Sequence, residues 1–302
     1  MMKLTVSCRS ASVAVAIVLL LGLTSQSAIA TGDGVVVTQI TPRILVFATT
    51  AGNVVASVGR DGALLVGTPS AVSTARISSI VESRTKSALR YVVIGPQSSA
   101  RSEGDAGWGR RAAFVAMQEN ALRRLDGDVM GEPGPLPPRF IELGVDRPRV
   151  AFSEVLAFDL NGDSVHVVHQ TPGYSDADAI VHFHVDNVIY FGEVFPGDGY
   201  PEIDAAQGGK LEGLLKTLAP WTAGPYRVVP ARGKVTDAAR VKAFRDMIVT
   251  VRDRVQHLAA EGRTEAQVVA ARPTADFDAQ WGHGRVSSEA FVHEVYSALS
   301  AQ

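Results

Sequence analysis

Residues 169–204, HQTPGYSDADAIVHFHVDNVIYFGEVFPGDGYPEID, are the stretch that decides the fold of this chain. Clustered Pro, Gly, Ser and Asp predict a turn-rich loop over residues 171–178. Apolar runs then predict a strand over residues 179–185, an Asp-Asn turn and a second strand over residues 188–191. A loop rich in Gly, Pro and Asp follows and opens a helix near Gly208. The stretch therefore predicts a loop-bearing β-hairpin that feeds a helix.

The N-terminal part of the chain predicts a second set of strands. Four short β segments over residues 35–66 are separated by Pro, Gly-Asn and Asp-Gly turns, which is typical of an antiparallel meander. A helix over residues 73–87 then leads to an apolar strand over residues 91–94. Because α/β proteins place their sites where such a strand ends, the loop after residue 94 is a candidate site. Apolar residues at helical spacing predict a further helix over residues 111–125.

The remaining segments complete the outline. The turn signal Asn161-Gly162 predicts a hairpin between residues 151–158 and 164–168. The proline density of residues 131–138 excludes regular structure, so this segment is a loop or a passive linker.

The C-terminal segment from residue 234 to residue 302 is predicted to be helical. It contains a long amphipathic run within residues 235–261, a shorter helix capped by Thr264 and Gln267, and a final helix from Ser287.

The first 30 residues have the composition of a secretory signal peptide. Lys3 and Arg9 flank the start of an apolar run over residues 11–23, and a polar stretch ends at Ala30. The run is too short for a membrane anchor, which needs roughly 20 apolar residues. We expect cleavage after Ala30 and export to the periplasm or beyond. The chain has one cysteine, Cys8, within this segment, so the exported protein would have no disulfide and no Cys ligand.

Composition narrows the possible partners. Removing residues 1–30 takes away two basic residues and no acidic one, which moves the formal charge from −2 to −4. Such a charge favours neither nucleic acid nor an anionic membrane as a partner. With 46% hydrophobic residues, the chain can bury a large core within a single domain.

The central stretch also resembles the metallo-β-lactamase fold, in a branch of secreted hydrolase-like proteins. That branch has the sequence motifs H-T-D-G-D, G-D-x-F, Y-P-x-I-D and G-G-S in this order. The corresponding segments of this chain are YSDAD at 174–178, GEVF at 192–195, YPEID at 200–204 and GGK at 208–210. The resemblance implies an α/β (α+β) fold: an αββα sandwich over residues 31–233, with the C-terminal helical segment over residues 234–302 packed on the same domain.

The metal-binding positions of that family hold other residues in this chain. Aligned without gaps, the family's H-x-H-x-D-H ligands correspond to Gln97, Ser99, Arg101 and Ser102. The third His corresponds to Tyr174, the metal-bridging Asp to Glu193 and the last His to Arg232. Zinc takes imidazole, thiolate or carboxylate donors, and a guanidinium has no lone pair to offer. The resemblance thus implies a pseudoenzyme without zinc or another cofactor, which binds a small anion or a protein partner.

Other interpretations stay open. A hydrolase of ester, lactone, thioester or amide bonds could use non-zinc chemistry, although Ser99 and Ser102 have no nearby His in the sequence. Asp176 and Asp178 could form an acid/base pair, but bracing of the loop is favoured. A relocated metal site could use Glu193, Asp176 and strand histidines, since His182 and His184 face one side of a strand beside His166 and His169.

The most specific prediction concerns charge. If the family's alignment holds, Glu193, Arg101 and Arg232 converge where the second metal would be. Two guanidiniums around one carboxylate would leave a surplus positive charge that suits a carboxylate or phosphate ligand. The alternative is that both arginines point outward and apolar side chains fill the space.

Overall fold

Two β-sheets and the helices on their outer faces account for most of the described chain. The computed structural model describes residues 28–30, 34–67, 71–85, 89–95, 114–125 and 150–300. The predicted signal peptide, apart from residues 28–30, and the proline-rich segment at 131–138 lie outside these ranges. No helix within them is long and apolar enough to cross a membrane.

The first sheet has eight strands in the order of the sequence. They are β1 Ala28–Ala30, β2 Val36–Gln39, β3 Ile44–Thr49, β4 Gly52–Gly59, β5 Gly62–Val66, β6 Leu89–Ile94, β7 Phe114–Gln118 and β8 Val150–Phe152. Strands β1 to β5 are antiparallel, and β5 to β8 are parallel. Strands β2 to β5 confirm the meander predicted over residues 35–66. Helix α1 (Ala71–Thr85) links β5 to β6, and α2 (Glu119–Leu125) follows β7.

The second sheet has six strands in the order β14-β13-β12-β11-β10-β9. They are β9 Val155–Leu160, β10 Asp163–His169, β11 Ala179–Phe183, β12 Val188–Gly192, β13 Arg227–Pro230 and β14 Thr236–Asp237. The helices after β12 are α3 Leu211–Leu218, α4 Ala238–Ala260, α5 Glu265–Ala270, α6 Asp278–Trp281 and α7 Ser288–Ser300. Strands β12 and β13 are parallel, so their carboxyl ends meet at the same edge.

Three apolar layers hold these parts together. Residues such as Val167 and Phe183 pack between the sheets. Phe47 packs with Val81 of α1 on the outer face of the first sheet. Ile180 packs on the outer face of the second sheet in a cluster with residues of α3, α4 and α7. Each sheet therefore buries both faces, and the predicted αββα sandwich is confirmed.

The helix predicted over residues 111–125 is confirmed only in its second half, and residues 111–113 lie outside the described residues. Residues Phe114–Gln118 form strand β7, and the helix begins only at Glu119. Val115 and Met117 pack on the helix side of the sheet, whereas Ala116 packs between the sheets. A parallel strand buried on both faces has a continuous apolar run, which the helical spacing imitates.

The predicted hairpin across Asn161-Gly162 is present, but its first strand is shorter than expected. Asn161 and Gly162 have φ values of 55° and 72°, as a tight two-residue turn between twisted strands requires. The turn joins β9 to β10, while Val150–Phe152 pairs with β7 in the other sheet. The stretch predicted as one strand thus crosses from one sheet to the other.

The C-terminal helices follow the predicted pattern closely. The apolar stripe of α4, including Val241, Phe244 and Val251, is buried, and Thr264 and Gln267 form the predicted capping box of α5. Residues Thr236–Asp237 differ from the prediction, because they form an edge strand beside β13 rather than a helix.

Candidate functional site

Glu193 and Arg232 meet because they follow neighbouring parallel strands. Glu193 comes directly after β12, where Gly192 takes a φ of 55° and the register shifts, and Arg232 lies in the turn after β13. Parallel strands place their carboxyl ends at one edge of the sheet. Glu193 is buried there, whereas a quarter of the Arg232 side chain is exposed.

The two side chains form a forked ion pair. Nη1 of Arg232 donates to Oε2 of Glu193 at 3.0 Å, and Nη2 donates to Oε1 and Oε2 at 3.1 Å. The guanidinium thus engages both oxygens of the carboxylate, which is the strong geometry for such a pair. The contact predicted between Arg232 and Glu193 is present, and the outward-pointing alternative is wrong for Arg232.

A second guanidinium reaches the same carboxylate from the C-terminal segment. Nη2 of Arg285 lies 3.7 Å from Oε2 of Glu193 and also pairs with Glu202. The segment around Arg285 is held close, since Gly199 forms a β-bridge with Gly282, and a Cβ atom on Gly199 would lie 2.7 Å from Cα of Gly284. No motif marks Arg285 in the sequence, which is why sequence reasoning missed it.

Charge around Glu193 is balanced among these residues. Arg232 and Arg285 supply two positive charges, and Glu193 and Glu202 supply two negative charges. These four residues therefore do not provide the predicted surplus. The predicted site residues Gln97, Ser99, Arg101 and Ser102 lie outside the described residues, so the place of Arg101 stays a prediction.

The loop before β11 is organised by Asp178. Its buried carboxylate accepts hydrogen bonds from the backbone N–H groups of Gly173, Tyr174 and Ser175 at 2.7–2.9 Å, and from Oγ of Ser175 at 3.0 Å. Burial raises the pKa of Asp178 to about 6, although these hydrogen bonds oppose the shift. Tyr174, which the resemblance aligns with the family's third metal ligand, is buried in this loop.

Asp176 holds the other side of the loop. Its carboxylate pairs with Arg124 of α2, and its backbone oxygen accepts from Nδ2 of Asn120 at 2.9 Å. A ring nitrogen of His169 also lies 2.9 Å from that oxygen. These contacts favour the bracing interpretation of Asp176 and Asp178 over an acid/base pair.

The described residues do not fit a zinc centre at the family's position. At these positions Tyr174 is a phenol, Arg232 is a guanidinium, and Glu193 is a carboxylate that Arg232 already binds. Together they offer one competent donor, whereas zinc takes about four. Across the ranges that the structure describes, no group of three His, Cys, Asp or Glu side chains is placed to hold a metal ion. Glu193, Asp176 and the strand histidines therefore do not form the relocated three-ligand site.

Comparisons with solved structures agree with this architecture. A metallo-β-lactamase from Pontibacter korlensis is 12% identical and matches 74% of this chain and 99% of its own, with a TM-score of 0.53. One from Erythrobacter litoralis is 14% identical, with the same coverage and a TM-score of 0.55. The chain has the metallo-β-lactamase fold.

A larger protein shares this fold with the chain. A stereoselective inverting sec-alkylsulfatase from Pseudomonas sp. is 12% identical, with a TM-score of 0.60, and the match covers 86% of this chain but 49% of the sulfatase. At such identities the likeness concerns the fold alone. No protein-family model and no curated protein matches the sequence.

Proposed function

We propose that this chain is an exported metallo-β-lactamase-fold protein that has lost zinc binding and hydrolase activity, and that it binds a small anion. The observation that carries the proposal is the fork of Arg232 on Glu193. Glu193 aligns with the family's metal-bridging Asp, and here the guanidinium of Arg232, rather than a metal ion, neutralises its charge. Zinc would have to displace this guanidinium to reach the carboxylate.

The anion proposal rests on unused guanidinium donors in one cleft. Arg232, Arg285 and His283 line it beside the carboxylates of Glu193, Asp198 and Glu202, so directed hydrogen bonds rather than a surplus of positive charge would hold the anion. A guanidinium has five N–H donors, and in the described part of the chain the ion pairs of Arg285 run through Nη2. Nearly half of the Arg285 side chain is exposed. A carboxylate or phosphate could therefore bind Arg285 while Arg232 stays on Glu193.

Zinc content tests the loss of the metal site. The mature protein is expressed in zinc-rich medium, dialysed and measured by mass spectrometry of the metal. We expect well under one zinc per chain. A stoichiometric zinc that survives dialysis in the wild type, and is lost in Glu193→Ala, contradicts the proposal.

Anion binding is tested by titrating inorganic phosphate and acetate into the same protein and recording heat or thermal stability. We expect binding by the wild type that Arg285→Ala abolishes. Arg263→Ala is the matched control, because Arg263 is equally exposed and pairs with Glu261 away from the cleft. Equal binding by all three proteins would show that the cleft is not the site.

A second candidate function is hydrolysis of ester, lactone, thioester or amide bonds without zinc. The observation in its favour is that Asp178, whose pKa is raised to about 6, lines one pocket between the sheets together with Glu193. A screen with these substrate classes tests it. Activity in the wild type that is absent from Glu193→Ala would replace the binding proposal.

A further inference from the structure

Three histidines cluster on the outer face of the second sheet. His166 of β10 and His182 of β11 are directly opposite each other, and His184 lies two residues beyond His182. Their neighbours Val165 and Phe183 point the other way, into the layer between the sheets. The cluster lies at the hairpin-turn end of β11 and β12, whereas Glu193 follows the opposite end of β12.

Two of these rings present nitrogen atoms at the spacing of metal ligands. Nε2 of His184 lies 3.0 Å from Nδ1 of His166. Two imidazole nitrogens on one ion, each about 2.0–2.1 Å from it, are roughly 2.9–3.3 Å apart for angles between 90° and the tetrahedral value. In the absence of an ion, one shared hydrogen can bridge the same two lone pairs.

Contacts behind the pair hold both rings. Nε2 of His166 lies 3.3 Å from Oγ of Ser164, which is the outer hydrogen bond that orients a ligating imidazole. The His184 ring is 3.9 Å from the ring of His182, centroid to centroid, and His182 in turn contacts Trp221 and Tyr226 edge-on. His182 is therefore a positioning residue, and the exposed His184 leaves the pair accessible from solvent.

We propose that His166 and His184 bind one divalent ion of the late transition metals, such as Zn²⁺, Ni²⁺ or Cu²⁺. Imidazole suits these ions, and water would fill the remaining positions. The site has two protein donors, so it differs from a three-ligand centre and lies apart from the position of zinc in the family. An ion held by two imidazoles exchanges readily, so we expect dialysis to remove it.

The test is a calorimetric titration of zinc chloride and of nickel chloride into untagged, chelator-treated mature protein. We expect one ion per chain, and a loss of affinity of about tenfold or more in each of His166→Gln and His184→Gln. His257→Gln is the matched control, since His257 is an exposed histidine of α4 beside Glu261. Wild-type affinity in both cluster variants, or no binding by the wild type, overturns the proposal.

Glu193→Gln separates this inference from the proposed function, because it should leave the titration unchanged. Circular dichroism checks that the variants fold. A second measurement needs no variant: substoichiometric Cu²⁺ should broaden the ring signals of His166 and His184 in NMR spectra before those of His257 and His293. Broadening that begins at His257 or His293 counts against the site.

Discussion

Asp178 and Glu193 are two buried carboxylates at the same end of the second sheet, and they are held in opposite ways. Asp178 is surrounded by neutral donors, namely three backbone N–H groups and one hydroxyl. Glu193 is bound by the charged fork of Arg232, with Arg285 nearby. Asp178 is thus held by hydrogen bonds from its own loop, whereas Glu193 is held by guanidiniums from the turn after β13 and from the C-terminal segment.

The largest expected effect is on the loop. Asp178→Ala leaves the N–H groups of Gly173, Tyr174 and Ser175 without their acceptor, and each unpaired buried donor costs about 1–3 kcal/mol. We expect the free energy of unfolding in urea to fall by about 4 kcal/mol. Asp198→Ala is the control, because 72% of the Asp198 side chain is exposed. A loss below about 1 kcal/mol would mean that water replaces the carboxylate.

The second effect is a pH dependence. Burial raises the pKa of Asp178 from 3.8 to about 6, so the folded state holds a proton that the unfolded state has already released. Stability from this group is therefore greatest below pH 4 and is lost as the pH rises to about 6, by up to about 3 kcal/mol. Urea unfolding of the wild type and Asp178→Asn at pH 4.5 and pH 6.5 measures it. Identical pH dependence in both proteins would contradict it.

The sequence predicted the turn-rich loop and the contact between Glu193 and Arg232 for different reasons, and it did not predict Arg285. The loop segment 174–178 contains its own hydrogen-bond acceptor, Asp178, within a few residues of the N–H donors. The local sequence pattern is therefore enough to predict the loop. The meeting of Glu193 and Arg232 follows from two parallel strands and an alignment to a known fold. Arg285 arrives through the packing of Gly199 on Gly284, a contact between distant segments that no local pattern encodes.

The same distinction explains the misassigned segments. Val115, Ala116 and Met117 have the same apolar character whether they form a helix or a strand buried on both faces. The choice is made by the neighbouring strands β6 and β8, which the local sequence does not contain. Turn and cap signals, such as Asn161-Gly162 and Thr264, were correct because their physics is local.

The third effect concerns Glu193 itself. Glu193→Gln leaves the Arg232 guanidinium without its carboxylate, and we expect a loss of about 1–3 kcal/mol because 25% of the Arg232 side chain is exposed to screening water. Asp186, in the turn between β11 and β12, is unsuitable as a control, because it pairs with Arg43 at 3.1 Å and its side chain is buried. Asp198→Asn is therefore the better comparison in urea unfolding. Equal losses in the two variants would show that the pair adds nothing.

The smallest effect is expected at Arg285. Its guanidinium is 3.7 Å from Glu193 and its side chain is 46% exposed, so the ion pair is long and largely screened. Arg285→Gln should lower the free energy of unfolding by less than about 1 kcal/mol, because Arg232 continues to neutralise Glu193. Arg232→Gln should cost more, since it removes all three forked hydrogen bonds. If Arg285→Gln proves the more damaging in urea, then the C-terminal segment, rather than the turn after β13, supplies the main charge partner of Glu193.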